Sequence, residues 1–378
     1  MNPPIRLAVV LPGLHRVNRG AETAFESIGR EIALKGEWHV TLFGSGQVRT
    51  DDPYHFVHVP CTPRERFERW PRIPTLRSAE AWEELSFVRH LRKLYDPSAF
   101  DAVLTCSYPF CNWFFNRKGR NDRPVQIYVT QNGDWPCFRR NREFRWFSCD
   151  RLVCINPDFF ENHKPNYQLD LIPNGVDNEA FMPSRKPTHQ HWGGDNAYKT
   201  VLMVSALIPS KRVVEGIQAA SNIENINFLV AGNGPLRDTI DQLGQKRFGE
   251  RFQRIEVPRI QMPDIYRSAD VTLHMSLDEP FGNVFTESLA TGLPIVAHDR
   301  PVTRWALEET SYLTDTLDQS NVIASLRQAI SEPRGTRLDK RLSLVQRRYT
   351  WRSIANQYCE SIQNAIAGKN SRTQVKAS

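Results

Sequence analysis

Nothing in the sequence stays apolar for the roughly 18 residues that a membrane-spanning helix needs, and the apolar stretch near its start reads as a strand, not as a leader with a cleavage site. The expected location is the cytoplasm. Cys-x-x-Cys pairs are missing as well. The seven cysteines, Cys61, Cys106, Cys111, Cys137, Cys149, Cys154 and Cys359, are odd in number and accompany no histidine cluster of zinc spacing. They read as reduced thiols, and Cys106 and Cys154 fall in apolar runs where a free thiol acts as a small hydrophobe. No structural metal is expected. Also absent is the Gly-x-Gly-x-x-Gly spacing of dinucleotide sites, which counts against nicotinamide and flavin chemistry. A formal net charge of +7 over 378 residues permits an anionic partner without demanding one, and no recognised nucleic-acid module accompanies it.

At 378 residues the chain exceeds what one hydrophobic core organises, so two domains are expected. With 40% hydrophobic and 24% charged residues, the composition is that of an ordinary globular protein. Residues 5–11 (IRLAVVL) are apolar and β-branched, as a strand buried on both faces of a parallel sheet should be. A loop over 12–20 leads into an amphipathic helix over 21–35, with Ala24, Phe25, Ile28, Ile32 and Leu34 as its buried stripe. Together they make the opening βα unit of a doubly wound sheet. Further strands are read at 39–43, 55–59, 102–106, 125–129, 152–155 and 170–172, and a helix over 78–95 with Ser78 as its cap. Gln131, Asn132 and Asp134 follow the 125–129 strand at its C-terminal end, where α/β sheets bind ligands.

Residues 183–199 are polar and unpatterned, hence a linker or surface loop. Beyond them, strands at 200–207, 226–230, 271–274 and 293–298 alternate with helices at about 213–223, 235–248 and 317–331, which predicts a second Rossmann-like sheet. Three loops at its strand ends suit anions. The first holds Ser205, Lys211 and Arg212; the second is Gly232-Asn233-Gly234; the third is Glu279-Pro-Phe281-Gly282-Asn283-Val284-Phe-Thr-Glu287. Gly282 lets the backbone approach a ligand, and the unpaired N–H groups of the helix start beyond it face the loop. Two carboxylates accept hydrogen bonds only, so they suit the vicinal diols of a sugar or ribose rather than a further phosphate. Taken singly, Glu279 reads equally as a solvated charge and Glu287 as a complement to the helix dipole. The tail is amphipathic over 350–366, through Ile354, Tyr358, Ile362 and Ile366, and 369–378 are expected to be disordered.

The segment 279–287, two Glu separated by seven residues with Pro-Phe-Gly between them and Gly-Leu-Pro after, resembles the signature of the retaining glycosyltransferases of family 4, or group 1. Residues 171–177 (LIPNGVD) resemble that family's crossover into its second domain. The resemblance implies the GT-B fold: two Rossmann-like doubly wound α/β domains facing each other across a cleft. The acceptor side would be 1–180 and the nucleotide-sugar side 181–349, with a helix over about 350–368 crossing back. It implies transfer of a sugar from a nucleotide-sugar donor to a saccharide or lipid-linked acceptor, with retention, in polysaccharide or glycolipid synthesis. No cofactor beyond the nucleotide-sugar co-substrate is implied. With no Asp-x-Asp metal motif, charge on the departing diphosphate falls to protein groups, chiefly Lys211 and the 282–284 backbone. Glu279 would hold donor-sugar hydroxyls and Glu287 the ribose. Ser205, Gly232, Asn233, Gly234, Phe281, Asn283 and Val284 complete the donor set, and Gly20 resembles the glycine that lets the first domain's loop close on the donor.

Two departures stand out. Many members carry an Arg five residues before this Lys, where Ala206 stands; Arg212, or Arg16 or Arg19 from the first loop, would replace it, or the enzyme is weak or inactive. Where the family commonly has a His near the donor sugar, the chain offers Gln131, Asn132 and Asp134. An epimerase or phosphorylase of similar shape and a non-catalytic nucleotide-sugar sensor remain as alternatives. Segments 61–77 and 137–147 interleave arginines (Arg64, Arg66, Arg69, Arg72 and Arg77; Arg139, Arg140, Arg142 and Arg145) with aromatics such as Phe67 and Trp70. They read either as a surface for anionic lipid on the inner face of a membrane or for an acceptor, or as solvated faces with their stems packed down.

Overall fold

Short apolar runs alternate with amphipathic helices twice along the chain, and in the computed structural model each series forms its own parallel sheet. The structure describes residues 3–116, 123–138, 144–183, 197–333 and 335–377, without the side chains beyond 369. The chain divides into unit 1, Met1–Asn174 with Trp351–Ser378, and unit 2, Gly175–Thr350.

Unit 1 runs β1 (Ile5–Val10), α1 (Gly20–Ala33), β2 (Trp38–Gly44), β3 (His55–His58), α2 (Ala79–Leu94), β4 (Ala102–Thr105), α3 (Phe110–Phe115), β5 (Val125–Val129), β6 (Arg151–Cys154), α4 (Pro157–His163) and β7 (Leu169–Leu171). The strands pair in parallel in the order β3-β2-β1-β4-β5-β6-β7, so the chain reverses direction across the sheet between β1 and β4. Leu7 to Val10 and Ala102 to Leu104 are fully buried, which is why these strands read as unbroken apolar runs. Ser78 caps α2 by accepting the Ala81 N–H.

Unit 2 repeats the plan with β8 (Lys199–Val204), α5 (Val213–Ala220), β9 (Ile226–Ala231), α6 (Arg237–Phe248), β10 (Phe252–Ile255), α7 (Met262–Arg267), β11 (Val271–His274), α8 (Asn283–Ala290), β12 (Ile295–His298), α9 (Pro301–Leu307), β13 (Tyr312–Thr314), α10 (Gln319–Ser331) and α11 (Leu338–Arg348). Its strand order, β10-β9-β8-β11-β12-β13, puts the reversal between β8 and β11. The sequence reading omits β10 and β13. Both are edge strands of three or four residues, too short and too polar to give a hydrophobic signature.

The last helix, α12 (Trp351–Ala377), belongs to unit 1 and packs on α1 and β5. Ile354, Tyr358 and Ile362 are its buried stripe, and Ser361 donates to Asp170 Oδ2 at 2.6 Å. The helix continues through Ala377, across residues expected to be disordered: no proline follows Thr350, so the ladder of backbone hydrogen bonds meets no stop. Unit 2 begins at Gly175, earlier than the boundary expected after residue 180. The Val176 N–H bonds to Tyr349 O at 2.7 Å, and Phe181 packs on Tyr266 at 5.7 Å, which fastens 175–180 to the second core. Among the described residues no helix is long and apolar enough to cross a membrane. The linker expected at 183–199 lies mostly outside the described residues.

Candidate functional site

Parallel sheets gather loops at the C-terminal ends of their strands, and the reversal between β8 and β11 opens a crevice there. The loops after β8 and β9 press directly on one another. A side chain at Gly232 would put its Cβ 1.8 Å from Ser205 O, so only glycine fits. The Leu207 N–H bonds to Asn233 O at 3.0 Å; the Asn233 amide accepts from the Gly234 N–H and donates to Glu256, each at 2.8 Å. Much of the Gly-Asn-Gly pattern thus fastens one loop to the other, and Asn233 turns toward Glu256. Ser205 Oγ donates to the neighbouring Ala206 O at 3.0 Å.

Lys211 and Glu279 come together as an ion pair on Glu279 Oε2. His274, the last residue of β11, brings Nε2 to 3.3 Å of the same oxygen, and its ring meets Phe285 edge-on at 4.8 Å. Glu279 Oε1 has no hydrogen-bond partner among the described residues. Burial alone would raise the Glu279 carboxyl, but the His274 hydrogen bond and charge, joined by Lys211, bring it down to about 2. It is a carboxylate at every physiological pH. Sequence reasoning placed Lys211 against a phosphate and Glu279 against a sugar without pairing them, and it missed His274. A histidine closing a strand at the ligand edge was the available signal.

Gly282 has φ +75°, a conformation glycine adopts at little cost, and it starts α8. Glu287 lies in the second turn with both oxygens engaged: Tyr266 OH donates to Oε2 at 2.8 Å and Arg259 Nη2 to Oε1 at 3.2 Å. Burial raises its pKa, more than Arg259 and Tyr266 lower it. Each carboxylate oxygen retains a second lone pair for a ligand hydroxyl. Phe281, included in the expected donor set, points its side chain into the core against Tyr349 at 5.9 Å and Trp305 at 6.3 Å. Its backbone alone serves the loop. Asn283 and Val284 are half-buried at the head of α8.

Arg212 adopts φ +53°, in the left-handed region. Its guanidinium reaches Thr316 Oγ1 at 3.3 Å and Met275 O at 3.5 Å, tying the β8 loop to the ends of β11 and β13. Ala206 is exposed and adds no charge. In unit 1, Arg16 pairs with buried Glu83 and donates to Ser45 Oγ at 2.8 Å, while Arg19 reaches Glu65 at 3.1 Å. Gly20 is the first residue of α1. Gln131 bonds Asn174 and Asn132 approaches Cys106 Sγ at 3.6 Å. Asp134 turns the other way, to His163 and Asn162 at 3.3 Å each, so it does not join them. Among the described residues, no three His, Cys, Asp or Glu side chains are placed to hold a metal ion.

Residues 184–350 match the family model for glycosyl transferases group 1. A phosphatidylinositol N-acetylglucosaminyltransferase subunit of Saccharomyces cerevisiae is 27% identical over 238 residues, covering 58% of this chain and 52% of that protein. A D-inositol 3-phosphate glycosyltransferase of Mycolicibacterium smegmatis is 31% identical over 140 residues, 34% of this chain and 32% of the other. The chain thus spans about half the length of the first of these relatives. Among solved structures, a sucrose-phosphate synthase from Thermosynechococcus elongatus superposes with a TM-score of 0.73 at 17% identity, over 99% of this chain and 100% of that one. Anabaena HepE, solved with UDP and glucose, gives 0.71 at 13% identity over 95% and 100%. Residues 184–350 are thus similar to the group 1 glycosyltransferases, and the two parallel α/β sheets give the chain the GT-B fold.

Proposed function

We propose that the protein transfers a sugar, with retention of anomeric configuration, from a nucleotide-sugar donor to a saccharide or lipid-linked acceptor in glycolipid or polysaccharide synthesis. The observation that carries this is the meeting of Lys211, Glu279 and His274 at one strand end, with Gly282 and buried Glu287 on the helix that follows. Glu279 neutralises Lys211. A donor diphosphate takes over the Lys211 ammonium, and the freed Glu279 carboxylate, still held by His274, accepts hydrogen bonds from sugar hydroxyls through both oxygens. Lys211 and the first N–H groups of α8 then stabilise negative charge as the diphosphate departs, a task for protein groups without a metal. Glu287, fixed by Tyr266 and Arg259, holds the ribose hydroxyls.

Similarity to a phosphatidylinositol N-acetylglucosaminyltransferase subunit supports glycolipid assembly, and the likeness to HepE, solved with UDP and glucose, supports a uridine nucleotide. Exposed Trp70 and Ile73 beside exposed Arg66, Arg69 and Arg72 support peripheral attachment to anionic lipid at the cytoplasmic face. Arg139, Arg140 and Arg142 lie outside the described residues, and Arg145 stacks on Trp146 at 4.6 Å. The test is direct: incubate the protein with labelled nucleotide sugars and a panel of glycoside and glycolipid acceptors, in chelator and in added magnesium. Sugar transfer in both supports the reading. Epimerised donor without transfer, or orthophosphate-dependent cleavage, replaces it.

A further inference from the structure

Beyond the backbone it lends to the donor loop, Phe281 anchors that loop. Its side chain is 2% exposed, and the next residue, Gly282, has φ +75° and no side chain of its own. A glycine in that position leaves the chain free to swing, so the Gly282, Asn283 and Val284 N–H groups take their direction from what precedes them. What precedes them is the Phe281 ring. It lies in a socket formed by Trp305 of α9, edge-on at 6.3 Å, and Tyr349, tilted at 5.9 Å.

Tyr349 is fully buried and held from three sides. Its hydroxyl donates to Ala306 O in α9 at 2.9 Å, its N–H donates to Val345 O in α11 at 2.8 Å, and its carbonyl accepts the Val176 N–H at 2.7 Å. Arg348 fastens the two socket rings together. Its guanidinium lies 4.7 Å from the Trp305 ring and 5.2 Å from the Tyr349 ring, and Nη1 donates to Trp305 O at 2.9 Å.

Val176 and Tyr349 stand next to the two ends of unit 2, and a parallel bridge joins Val176 to Thr350. The ring that steadies the donor loop is therefore set by α9, α11 and the segment entering the unit. None of these carries a residue of the donor set. Glu287, by contrast, has its own partners in Tyr266 and Arg259, which lie apart from the socket.

We propose that Tyr349 is a positioning residue for sugar transfer: through the Phe281 ring it fixes the angle at which the Gly282–Val284 N–H groups meet the departing diphosphate. The proposal rests on the transfer reading for what those N–H groups meet. Donors that act on charge as it develops are felt mainly in turnover, and a misplacement of about 1 Å costs on the order of a hundredfold.

The test compares the full chain as wild type, Tyr349→Leu, Tyr349→Phe and Phe281→Leu. Phe248→Leu is the control, since it removes a core ring of the same unit, stacked on Phe228 at 5.2 Å, that the donor loop does not use. One readout is release of nucleoside diphosphate from UDP-glucose, UDP-N-acetylglucosamine, GDP-mannose and ADP-glucose in the presence of glycoside and glycolipid acceptors. The other is hydrogen exchange across residues 279–287, where the Phe285 N–H bonds to Gly282 O at 2.9 Å. Tyr349→Leu should lower kcat about tenfold or more while donor KM stays within about threefold, and should speed this exchange more than Phe248→Leu does. Tyr349→Phe keeps the ring and should recover most of kcat despite losing the bond to Ala306 O. Phe281→Leu should match Tyr349→Leu, and the double variant should be little worse than either single one, because both break one contact.

An equal fall in kcat in Phe248→Leu, a loss confined to KM, additive losses in the double variant, or exchange unchanged by Tyr349→Leu overturns the proposal. Should Tyr349→Leu fail to fold, Phe281→Leu against Phe248→Leu makes the same comparison. Failure of the transfer reading looks different. Wild type that neither binds nor releases any nucleoside diphosphate removes that reading and the proposal's catalytic claim with it, while faster exchange in Tyr349→Leu and Phe281→Leu would still show the ring holding the loop.

Discussion

Lys211 and Glu279, 68 residues apart in sequence, share an ion pair at the mouth of the second sheet, and His274 holds the same carboxylate oxygen from the other side. On the proposed reading, the cation that takes the diphosphate is held by the carboxylate that takes the sugar. Neither group stands unpaired, and on that reading donor binding exchanges one partner for another.

Removing the ammonium tests that exchange in turnover. Lys211→Ala should cost roughly 2.7 to 4 kcal/mol of transition-state stabilisation, by analogy with single donors in oxyanion sites, and most of it in kcat. Glu279 should then titrate nearer the ordinary carboxylate range, since one of the charges that depress it is gone. Steady-state transfer assays and NMR titration of the carboxyl read both effects. Unchanged kcat removes Lys211 from the mechanism.

Glu287→Gln should act differently. The amide cannot accept from Arg259, Tyr266 and two ribose hydroxyls together, so donor KM should rise about tenfold or more while kcat changes less. Wild-type KM in the variant contradicts a ribose role.

Arg212 is a positioning residue. Because its guanidinium ties Thr316 to Met275 O, Arg212→Ala should loosen the loop bearing Lys211, and introducing Arg at position 206 should not restore it. Rescue by Ala206→Arg would instead show that the lost group was a diphosphate charge. The assay is kcat/KM for the two single variants and the double.

How much of this was legible depended on what each residue packs against. The strands of both sheet centres were read to within a few residues, since burial on two faces leaves an unbroken apolar run. Gly282 and Gly232 were legible as glycines, but the second serves a backbone approach to Ser205 O that no motif announces. Arg259 and Tyr266 were missed because their partner Glu287 is more than twenty residues away and only the fold brings them together, whereas His274, five residues before Glu279, was missed because its apolar run read as strand core alone. The Phe281 side chain packs away from the loop for the complementary reason: a large apolar residue between polar ones goes to the nearest core.

Glu84 offers a pH test. Its folded pKa, raised to about 7 from an ordinary 4.5, means the folded state keeps a proton that the unfolded chain releases. That stabilisation is complete below pH 4.5 and is lost as pH rises through about 7. Glu84→Gln, neutral throughout, should gain on the wild type by roughly 2.5 kcal/mol between pH 5 and 8, read by urea denaturation of the full chain. A difference that does not change with pH contradicts a buried, proton-holding Glu84.

For membrane attachment, sedimentation with anionic vesicles should recover the protein at low salt and lose it at high salt, at about 1 kcal/mol per basic residue near the surface. Trp70→Ala with Arg69→Ala should reduce recovery. Equal recovery with neutral vesicles would leave these residues as an ordinary solvated face.

The most direct test of the exchange at Lys211 is calorimetric titration of the wild type and Lys211→Ala with uridine, guanosine and adenosine diphosphates and their sugars, in excess chelator. The account predicts saturable binding of at least one of them to the wild type without metal, and at least a tenfold loss in Lys211→Ala, the size of one charge-assisted hydrogen bond. Binding that requires a divalent cation, or equal affinity in the two proteins, would contradict it.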